Sequence, residues 1–427
     1  AYFNFSAKRD RSPAVYSTAL FSLGLSSALF LAVFTLNAQA VAEVLRYPLH
    51  AEYVLWMAWV IGLDAVTAIP FARLREQQRA GRFALLKTLN ILVNIGGNLL
   101  FLGLGKWAFE SAAVPAWLAW AATLYDPAIG IGYVFIANLV ASAVTLLLLA
   151  PEFLAARARP ELALWRHMLV YALPLLLAGL AGMVNETMDR VLLKYLLPGQ
   201  IAMQQLGIYG ACYKISILMS LFIQAFRYAA EPFFFARHKQ ADARELYARV
   251  MRWFVIACSL IFLAVMANIA WVQYFVGASY RAGLGVVPIL LLANLCLGVF
   301  FNLSIWYKLT EQTRFGTYLA LWGAAVTLAL NFWWIPRFGF MGAAWATLIC
   351  YASMAFWSYL LGQKHFPVPY DLKRLLGYPM LAVALYAIMT RVDGLAPLAE
   401  LLARNGVLGV FLGAVFLLER KRGSSNG

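Results

Sequence analysis

Two ionisable side chains lie deep inside long apolar stretches and are the first candidates for chemistry. Asp64 occurs in VLWMAWVIGLDAVTAIPF, and Lys214 occurs in LGIYGACYKISILMS. A charge at the centre of a bilayer costs roughly 2.5 to 3.5 kcal/mol, so it must pair, meet water or contact a ligand. We interpret Asp64 as an ion- or proton-coupling site or a cavity salt bridge, with a buried structural pair as the alternative. Lys214 is interpreted as lining a cavity, with snorkelling as the alternative.

A second group of polar residues closes a long apolar helix predicted over 167–196. No charge occurs from Met168 to Val184, and Asn185, Glu186 and Arg190 follow. At a rise of about 1.5 Å per residue, Glu186 still lies inside a bilayer, whereas the residues from Asp189 onward lie at or beyond its surface. The helix therefore either lines a wet cavity at this point or has reached the interface.

The sequence contains none of the residue patterns of the common enzymes. There is no Ser/His/Asp set, catalytic carboxylate pair, HExxH, Walker loop or strand-linked GxGxxG. The four cysteines lie in apolar runs without the spacing of metal ligands, and the four histidines are scattered near predicted helix ends. We expect no enzymatic activity, no metal site, no cofactor and no direct use of ATP.

The composition requires that these residues be positioned by membrane helices. Hydrophobic residues make up 63% of the chain and charged residues 12%, against about 25% charged in soluble domains. The net charge of +15 would suggest nucleic acid in a soluble protein. In a membrane protein it reflects basic cytoplasmic loops, so nucleic acid is not expected as a partner.

Apolar windows of about 20 residues predict an all-α polytopic protein with about twelve spans. They cover 14–37, 53–72, 84–105, 128–150, 167–196, 206–227, 253–275, 285–307, 316–335, 341–361, 375–391 and 404–418. Of the 34 basic residues, 25 fall in one alternate set of loops and 8 in the other, with Lys214 inside a span. The positive-inside rule then predicts that both ends of this chain are cytoplasmic. The segment 106–127 is expected outside the membrane.

An internal repeat lies in two of the predicted cytoplasmic turns. FARLREQQRAGRF at 71–83 aligns without gaps on WYKLTEQTRFGTY at 306–318, at a constant offset of 235. We interpret the repeated acids and bases as pairs that stabilise the turns or close a gate; they are Glu76, Arg79, Glu311 and Arg314. A further pair is expected one helical turn apart, between Arg227 and Glu231.

Two repeated bundles around a central site are typical of transporters. The second turn follows four predicted spans counted from His167, whereas the first follows only two. We therefore expect the first bundle to lack its initial helical hairpin, with a natural four-helix half as the alternative. The predicted domains are an N-terminal bundle at 1–150, a linker at 151–166, a six-helix bundle at 167–365, and a peripheral helix pair with a basic tail at 366–427.

Several stretches resemble one family in their residues and in their order. NETMDRVLLKYLLP followed by LGIYGACYKIS is similar to its Asp-Arg helix end and its Gly-x-Tyr-x-x-x-x-Lys/Arg helix start. VPILLLANLCLG and FGFMGAAWATLICY look like its later helices. The chain thus resembles the polysaccharide transporter branch of the multidrug/oligosaccharidyl-lipid/polysaccharide flippase superfamily, especially Bacteroidetes-type members, most clearly over 167–375.

The resemblance implies two bundles packed as a V, alternating access, and an oligosaccharide on an undecaprenyl-pyrophosphate-like lipid as substrate. It places the chain in the bacterial inner membrane, among membrane lipids, with glycosyltransferases or a polymerase of the same pathway as partners. Lys214 and Arg190 would then contact phosphate, with snorkelling as the alternative for Arg190. Asn185 would contact a sugar hydroxyl, and Glu186 would contact the sugar or take part in ion coupling. Four aromatic residues are expected either to stack on sugars or to pack in the core: Tyr209, Tyr213, Trp306 and Tyr307.

Two alternative functions remain open at the level of sequence. An exporter of drugs or metabolites from the same superfamily would be expected to concentrate acids, rather than Lys214 and Arg190, in its cavity. A membrane polymerase or acyltransferase normally needs a long loop with paired His, Asp or Arg residues, and the largest loops here lack His pairs. The lipid-linked substrate is therefore favoured.

Overall fold

The computed structural model of the chain describes residues 2–8, 13–111, 114–156, 158–237, 240, 242–391 and 397–423. These residues are all-helical with short turns, and no strand occurs among them. The chain divides into two compact units, Ala1–Pro174 and Leu175–Gly427. The division falls inside one helix, α9, and not in the predicted linker at 151–166.

Unit 1 contains eight α-helices and the start of α9. They are α1 (Tyr2–Lys8), α2 (Pro13–Leu36), α3 (Ala38–Val44), α4 (Ala51–Glu76), α5 (Ala80–Asn98), α6 (Lys106–Glu110), α7 (Tyr133–Leu148), α8 (Ala150–Leu154) and α9 (Leu162–Leu196). A π-helical turn, Leu99–Gly105, joins α5 to α6, and 3₁₀ turns cover Ala116–Leu124 and Gly130–Gly132.

Unit 2 contains the remaining helices. They are α10 (Gly199–Arg237), α11 (Ala243–Ala267), α12 (Ile269–Val272), α13 (Val287–Leu303), α14 (Ile305–Leu309), α15 (Arg314–His365), α16 (Leu372–Met389) and α17 (Pro397–Gly423). Two 3₁₀ turns, Gln273–Phe275 and Ala278–Val286, lie between α12 and α13.

The predicted membrane spans are confirmed as helices. Ten helical segments in the described part of the chain are long and apolar enough to cross a bilayer. One of them, α15, contains two predicted spans, 316–335 and 341–361. The predicted span 167–196 lies within α9, some of whose side chains are outside the described part. The span predicted at 84–105 continues as helix to Glu110, five residues into the segment expected outside the membrane.

Close backbone contacts hold unit 1 together. Helix α4 packs between α2 and α7, and α5 packs on the other side of α7. At the α5–α7 crossing, a Cβ added to Gly97 would lie only 2.9 Å from the Cβ of Ala137. Small residues at such crossings let apolar helices approach closely, which is how membrane helices gain packing energy without a hydrophobic driving force between them.

Helix α13 forms the centre of unit 2. It packs against α10, α11 and both arms of α15, and most of its side chains are buried. Its one tight crossing is at Gly298, where an added Cβ would lie 2.5 Å from the ring of Phe254 on α11. The position therefore requires glycine because of packing and not because of its backbone conformation.

Helix α15 is broken at Gly339. As one straight helix its 52 residues would extend about 78 Å, far more than the hydrocarbon thickness of a bilayer. Gly339 has φ 56° and ψ −138°, a conformation that essentially only glycine adopts. The backbones of Trp334, before the break, and Gly342, after it, approach each other, so the two arms fold back as a hairpin. The side-chain oxygen of Gln205 on α10 accepts the N–H of Phe340 (2.9 Å), a donor freed by the break.

The predicted peripheral helices, α16 and α17, pack on α11 within unit 2. Glu419 of α17 connects all three helices. Its carboxylate lies 3.2 Å from Arg252 Nε on α11 and 2.9 Å from Arg374 Nη1 on α16, and it accepts the hydroxyl of Tyr378 at 2.7 Å. This cluster is mostly buried, so it fixes the position of the pair against the core.

Candidate functional site

A buried carboxylate at the end of α9 organises the polar residues of unit 2. Asp189 is 2% exposed. Its Oδ2 accepts the hydroxyl of Tyr209 on α10 at 2.6 Å, and its Oδ1 accepts the backbone N–H of Arg190 at 2.7 Å. Two donors to one carboxylate stabilise its charged form against the cost of burial. The contact also fixes the register between α9 and α10.

The guanidinium of Arg190 stacks on an aromatic ring beside this carboxylate. Its Cζ lies 4.1 Å from the ring centroid of Tyr213, which is one helical turn after Tyr209 on α10. A cation at this distance is attracted by the electron-rich face of the ring. Arg190 is therefore held over α10 as a half-buried cation.

Asn185 lies one turn before Asp189 and contacts α15. Its side-chain amide donates to the backbone carbonyl oxygen of Ala320 at 3.1 Å, and its backbone carbonyl oxygen accepts the hydroxyl of Tyr351 at 3.3 Å. Its Oδ1 is buried without a partner among the described residues. These contacts assign Asn185 to the helix interface, and its predicted contact with substrate stays a prediction.

Glu186 and Lys214 are the exposed ionisable residues of this region. Glu186 follows Asn185 on α9, about 100° around the helix, and its side chain is exposed. Lys214 follows Tyr213 and is also exposed. Within the described part of the chain, neither side chain forms an ion pair. Their predicted contact with substrate stays a prediction, and it agrees with a polar surface on α9 and α10.

The aromatic residues expected to stack on sugars are less available than predicted. Tyr209 is fully buried against Asp189, as expected for the alternative in which its ring packs in the core. Trp306 and Tyr307 are also buried; the indole of Trp306 stacks on His365, with ring centroids 5.5 Å apart. Tyr213 alone of the four is half-buried, and one face of its ring is covered by Arg190.

Asp64 lies at the middle of α4 in unit 1, and its side chain is exposed. Its Oδ1 accepts the hydroxyl of Ser142 on α7 at 2.7 Å. Among the described residues, Ser142 is the side chain that contacts this carboxylate, and the role predicted for Asp64 stays a prediction. A carboxylate held by one hydroxyl keeps free lone pairs, as a proton or ion site requires.

A line of amides continues this polar surface between α5 and α7. Asn94 donates to Asn138 Oδ1 at 2.7 Å, Asn90 donates to Thr145 Oγ1 at 2.9 Å, and Asn98 donates to Asn94 Oδ1 at 3.0 Å. Asn90, Asn94 and Asn98 are spaced by four residues and share one face of α5. Buried polar contacts of this kind connect membrane helices.

Comparisons with known proteins identify the fold. No family model and no curated protein matches the chain. Among solved structures, the lipid II flippase MurJ in an inward closed conformation superposes with a TM-score of 0.68 at 13% identity, over 98% of this chain and 87% of that chain. The chain therefore has the fold of this flippase.

Two multidrug resistance MATE family transporters of the MOP superfamily also match. The inward-facing structure has a TM-score of 0.62 at 12% identity, over 88% of this chain and 83% of that one. The outward-facing structure has a TM-score of 0.57 at 13% identity, over 88% and 81%. The predicted all-α polytopic fold is thereby confirmed, whereas the polysaccharide branch is not.

Within the described residues, the acid and the base of the first repeated turn take partners on neighbouring helices. Glu76 accepts hydrogen bonds from the hydroxyls of Tyr2 and Ser6 on α1. Burial, and then the hydrogen bond to Glu76, raises the pKa of Tyr2, so its hydroxyl remains a donor. Arg79 lies 3.8 Å from Glu152 on α8, which also pairs with Arg82 at 3.1 Å. Glu76 and Arg79 thus hold the turn through contacts with α1 and α8.

The second copy of the turn differs in its backbone. Glu311 has a positive φ of 57°, whereas the left-handed residue of the first copy is Gln78, two positions later in the alignment. Glu311 and Arg314 are exposed, and the guanidinium of Arg314 lies 5.6 Å from the ring centroid of Phe315. Glu76 and Glu311 thus align in sequence but differ in backbone conformation and in their contacts.

The predicted pair at the end of α10 is described only in part. The guanidinium of Arg227 lies 4.8 Å from the ring centroid of Phe301 on α13. The side chain of Glu231 lies outside the described residues, so this pair stays a prediction. No group of three or more potential metal ligands occurs in the part of the chain that the structure describes.

Sequence reasoning missed Asp189 and Ser142. Asp189 was expected at the membrane surface because depth was counted along α9 alone, although its four-residue spacing from Asn185 puts both on one face of the helix. That shared face was the available signal. Nothing in the sequence around Ser142 distinguishes it from other small polar residues of α7.

Proposed function

We propose that this chain is a flippase that moves a lipid-linked oligosaccharide of the undecaprenyl-pyrophosphate type across the bacterial inner membrane by alternating access. The carrying observation is the fold, which covers 98% of the chain in the superposition on a lipid II flippase. The superposition on the two MATE transporters covers less of the chain, at lower TM-scores. The sequence resemblance to the polysaccharide branch supports the glycan as substrate.

The charges of the candidate site support an anionic head group. Lys214 presents an exposed ammonium near the middle of α10, and Arg190 is held as a half-buried cation by Tyr213. A guanidinium matches phosphate oxygens with its paired donors, and an ammonium attracts them as a compact charge. In unit 1, Asp64 is the residue proposed for coupling to an ion or proton gradient.

A second candidate function is export of a cationic drug or metabolite. The exposed carboxylates of Asp64 and Glu186 favour it, together with the superposition on two multidrug transporters. We rank it second because the α9–α10 site also presents two cations, which repel such substrates. A polymerase is a third alternative that no contact described above supports.

The test uses the full chain in proteoliposomes with a radiolabelled undecaprenyl-pyrophosphate-linked disaccharide. A membrane-impermeant glycosidase added outside measures how fast the inner pool becomes accessible. We expect Lys214→Ala and Asp64→Asn each to reduce this rate at least tenfold, whereas Lys106→Ala, an exposed cation paired with Glu110 at 3.8 Å, leaves it unchanged.

Three results would overturn the proposal. The first is that the glycan becomes accessible to the glycosidase at the same rate in vesicles with and without the protein. The second is ethidium efflux by the same vesicles without glycan movement, which would indicate the exporter. The third is elongation of the disaccharide, which would indicate the polymerase.

A further inference from the structure

A small pocket lies in unit 2 between α10, α13 and α14, with a volume of about 20 Å³. This volume admits roughly one particle of the size of a water molecule. Apolar side chains form most of its wall, and they are Ile223, Phe226, Ala230, Phe234, Phe301 and Ile305. A ligand that enters this pocket must therefore give up most of its hydration.

Two basic side chains line the pocket from different helices. Arg227 belongs to α10 and Lys308 to α14, and both are half-buried. No acidic side chain lines the pocket among the described residues. Charges interact more strongly where water is excluded, so two cations beside a small apolar space favour a negatively charged occupant.

The guanidinium of Arg227 is held in place by an aromatic ring. Its Cζ lies 4.8 Å from the ring centroid of Phe301 on α13, and this ring also lines the pocket. A guanidinium that stacks on a ring keeps the N–H groups of its plane for other acceptors. Arg227 can therefore donate to a ligand in the pocket without giving up its contact with α13.

A buried amide gives a second, independent indication of a ligand. Asn302 on α13 lines the pocket and is 5% exposed. Its Nδ2 is buried and donates no hydrogen bond within the part of the chain that the structure describes. Buried polar atoms are almost always hydrogen-bonded, so this nitrogen requires an acceptor. The pocket is the space beside Asn302 that can hold one.

The size and the charges of the pocket select among acceptors. A water molecule would satisfy the amide without responding to the two cations. Phosphate and sulfate carry four oxygens around a central atom and exceed the space of one water-sized particle. A halide ion has the required size, accepts hydrogen bonds from N–H donors and neutralises positive charge.

We propose that this pocket binds one monatomic anion of the halide class, such as chloride, held by the Arg227 guanidinium, the Lys308 ammonium and the Asn302 amide. The anion connects α10 with α13 and α14 and contributes to the stability of unit 2. This site goes beyond the proposed function and does not depend on which substrate is transported.

The melting temperature of the purified full chain tests for such an ion. A thiol-reactive dye reports unfolding in detergent, because three of the four cysteines are buried. The salts compared are sodium chloride, sodium bromide and sodium gluconate at equal ionic strength, and gluconate is too large for the pocket. A ligand that binds only the folded state stabilises it, so we expect melting roughly 2–4 °C higher in either halide than in gluconate. Titration of this shift gives the apparent Kd.

Two substitutions of Asn302 distinguish an anion from a water molecule. Asn302→Leu removes the unpaired donor, so the variant should melt at or above the temperature of the unaltered chain in gluconate and below it in chloride. Asn302→Asp keeps the shape of the side chain and adds a negative charge beside the cations, so its melting temperature should not depend on halide. The same order of stability in both salts, or retained halide dependence in Asn302→Asp, would overturn the proposal.

Arg227→Gln tests the contribution of charge. Loss of a hydrogen bond to a charged group should raise the apparent Kd for chloride about tenfold or more. Lys364→Gln is the control, because it removes an exposed cation of α15 that does not line the pocket, and we expect it to leave the apparent Kd unchanged. An equal rise in both variants would mean that chloride responds only to the net charge of the chain.

Bromide locates the ion directly. Crystals of the full chain grown in bromide should show an anomalous difference peak beside Asn302 Nδ2, close to Arg227 and Lys308. An empty pocket at a bromide concentration well above the apparent Kd would overturn the site. Stabilisation by inorganic phosphate without a halide effect would do the same. Absence of any halide effect would mean that the cations are neutralised within the protein, as the predicted pair of Arg227 with Glu231 would do.

Discussion

At the scale of single residues, Asp189 is the side chain on which the geometry of the candidate site depends. Its carboxylate is buried and receives a hydroxyl from α10 and an amide N–H from its own helix. Removing one partner of a buried polar pair costs more than the pair contributes, because the remaining group stays desolvated. Of these two donors, the Tyr209 hydroxyl is the one that a substitution can remove with the least other change to the structure.

Tyr209→Phe should lower the free energy of unfolding by about 1–3 kcal/mol, the cost of leaving a buried polar group without its partner. Denaturation in mixed micelles followed by circular dichroism measures it. The matched control is Tyr228→Phe on the same helix, at a ring that is 75% exposed, where we expect a change within about 0.5 kcal/mol. Equal effects of the two substitutions would contradict the role given to the Asp189 contact.

Some site residues could be predicted from sequence and others could not. Asp64 and Lys214 were identified because an ionisable group within an apolar run is unusual wherever its side chain points. The burial of Asp189 and Tyr209 depends on which faces of α9 and α10 meet, which no local pattern specifies. For the same reason the sequence could not decide whether Trp306 and Tyr307 stack on sugars or pack in the core, where both are buried.

At the scale of elements, the hairpin of α15 depends on one glycine. Gly339 adopts a backbone conformation that side chains other than glycine rarely reach, and an added Cβ would also meet the amide of Gln205. The same amide group caps the freed N–H of Phe340. When Gly339 is replaced, backbone strain and the loss of this cap therefore both destabilise the hairpin.

Gly339→Ala should destabilise the chain by about 1–3 kcal/mol, the cost of a non-glycine residue in this region. Thermal unfolding monitored by tryptophan fluorescence measures it. Gly409→Ala on α17 is the control, because an added Cβ there meets nothing and alanine favours a helix by about 0.5–1 kcal/mol over glycine. The two substitutions should shift the melting temperature in opposite directions, and a common sign would refute the strain at Gly339.

Glu419→Gln should loosen α16 and α17 from the rest of unit 2. The substitution removes the carboxylate between Arg252 and Arg374, and breaking one partner of a buried ion pair costs about 3–5 kcal/mol. Because Arg374 and Glu419 are partly exposed, we expect a value near the lower end. Limited proteolysis after Met389 should become faster, while Glu245→Gln, an exposed acid on α11, leaves it unchanged. An unaltered digestion pattern in Glu419→Gln would contradict this anchoring.

The boundaries of the helices were predicted well and the contacts of the turns were not. Hydropathy and the thickness of a bilayer limit where an apolar helix begins and ends, so span limits are largely local. The partners of Glu76 and Arg79 come from α1 and α8, and this choice is made by tertiary packing. Sequence repetition alone could not show that only one copy has such neighbours.

At the scale of the whole molecule, the alternation of basic loops predicts the topology in the membrane. Both repeated turns should be cytoplasmic, and the α3–α4 turn should lie on the opposite side. Gln77→Cys and Gln312→Cys should react with an impermeant maleimide only after the cells are permeabilised, whereas Pro48→Cys should react in intact cells. The native cysteines are buried or half-buried, which limits background labelling. Labelling of the two turns from opposite sides would refute the parallel repeat.

The transporter fold itself was predicted from the repeat and from the resemblance, and the superpositions confirm the fold without choosing a substrate. The polar side chains proposed to choose a substrate leave no periodic signal in the sequence, because they are assembled from helices far apart in the chain.

The left-handed residue occupies different alignment positions in the two repeated turns, at Gln78 and at Glu311. If residues 71–83 replaced residues 306–318, the two sequences would match, but the chain would reverse its direction at a different position. The incoming loop would leave its first helix two residues late and point the next one in a rotated direction. The two repeated turns of this protein are thus not interchangeable, although their sequences align without gaps.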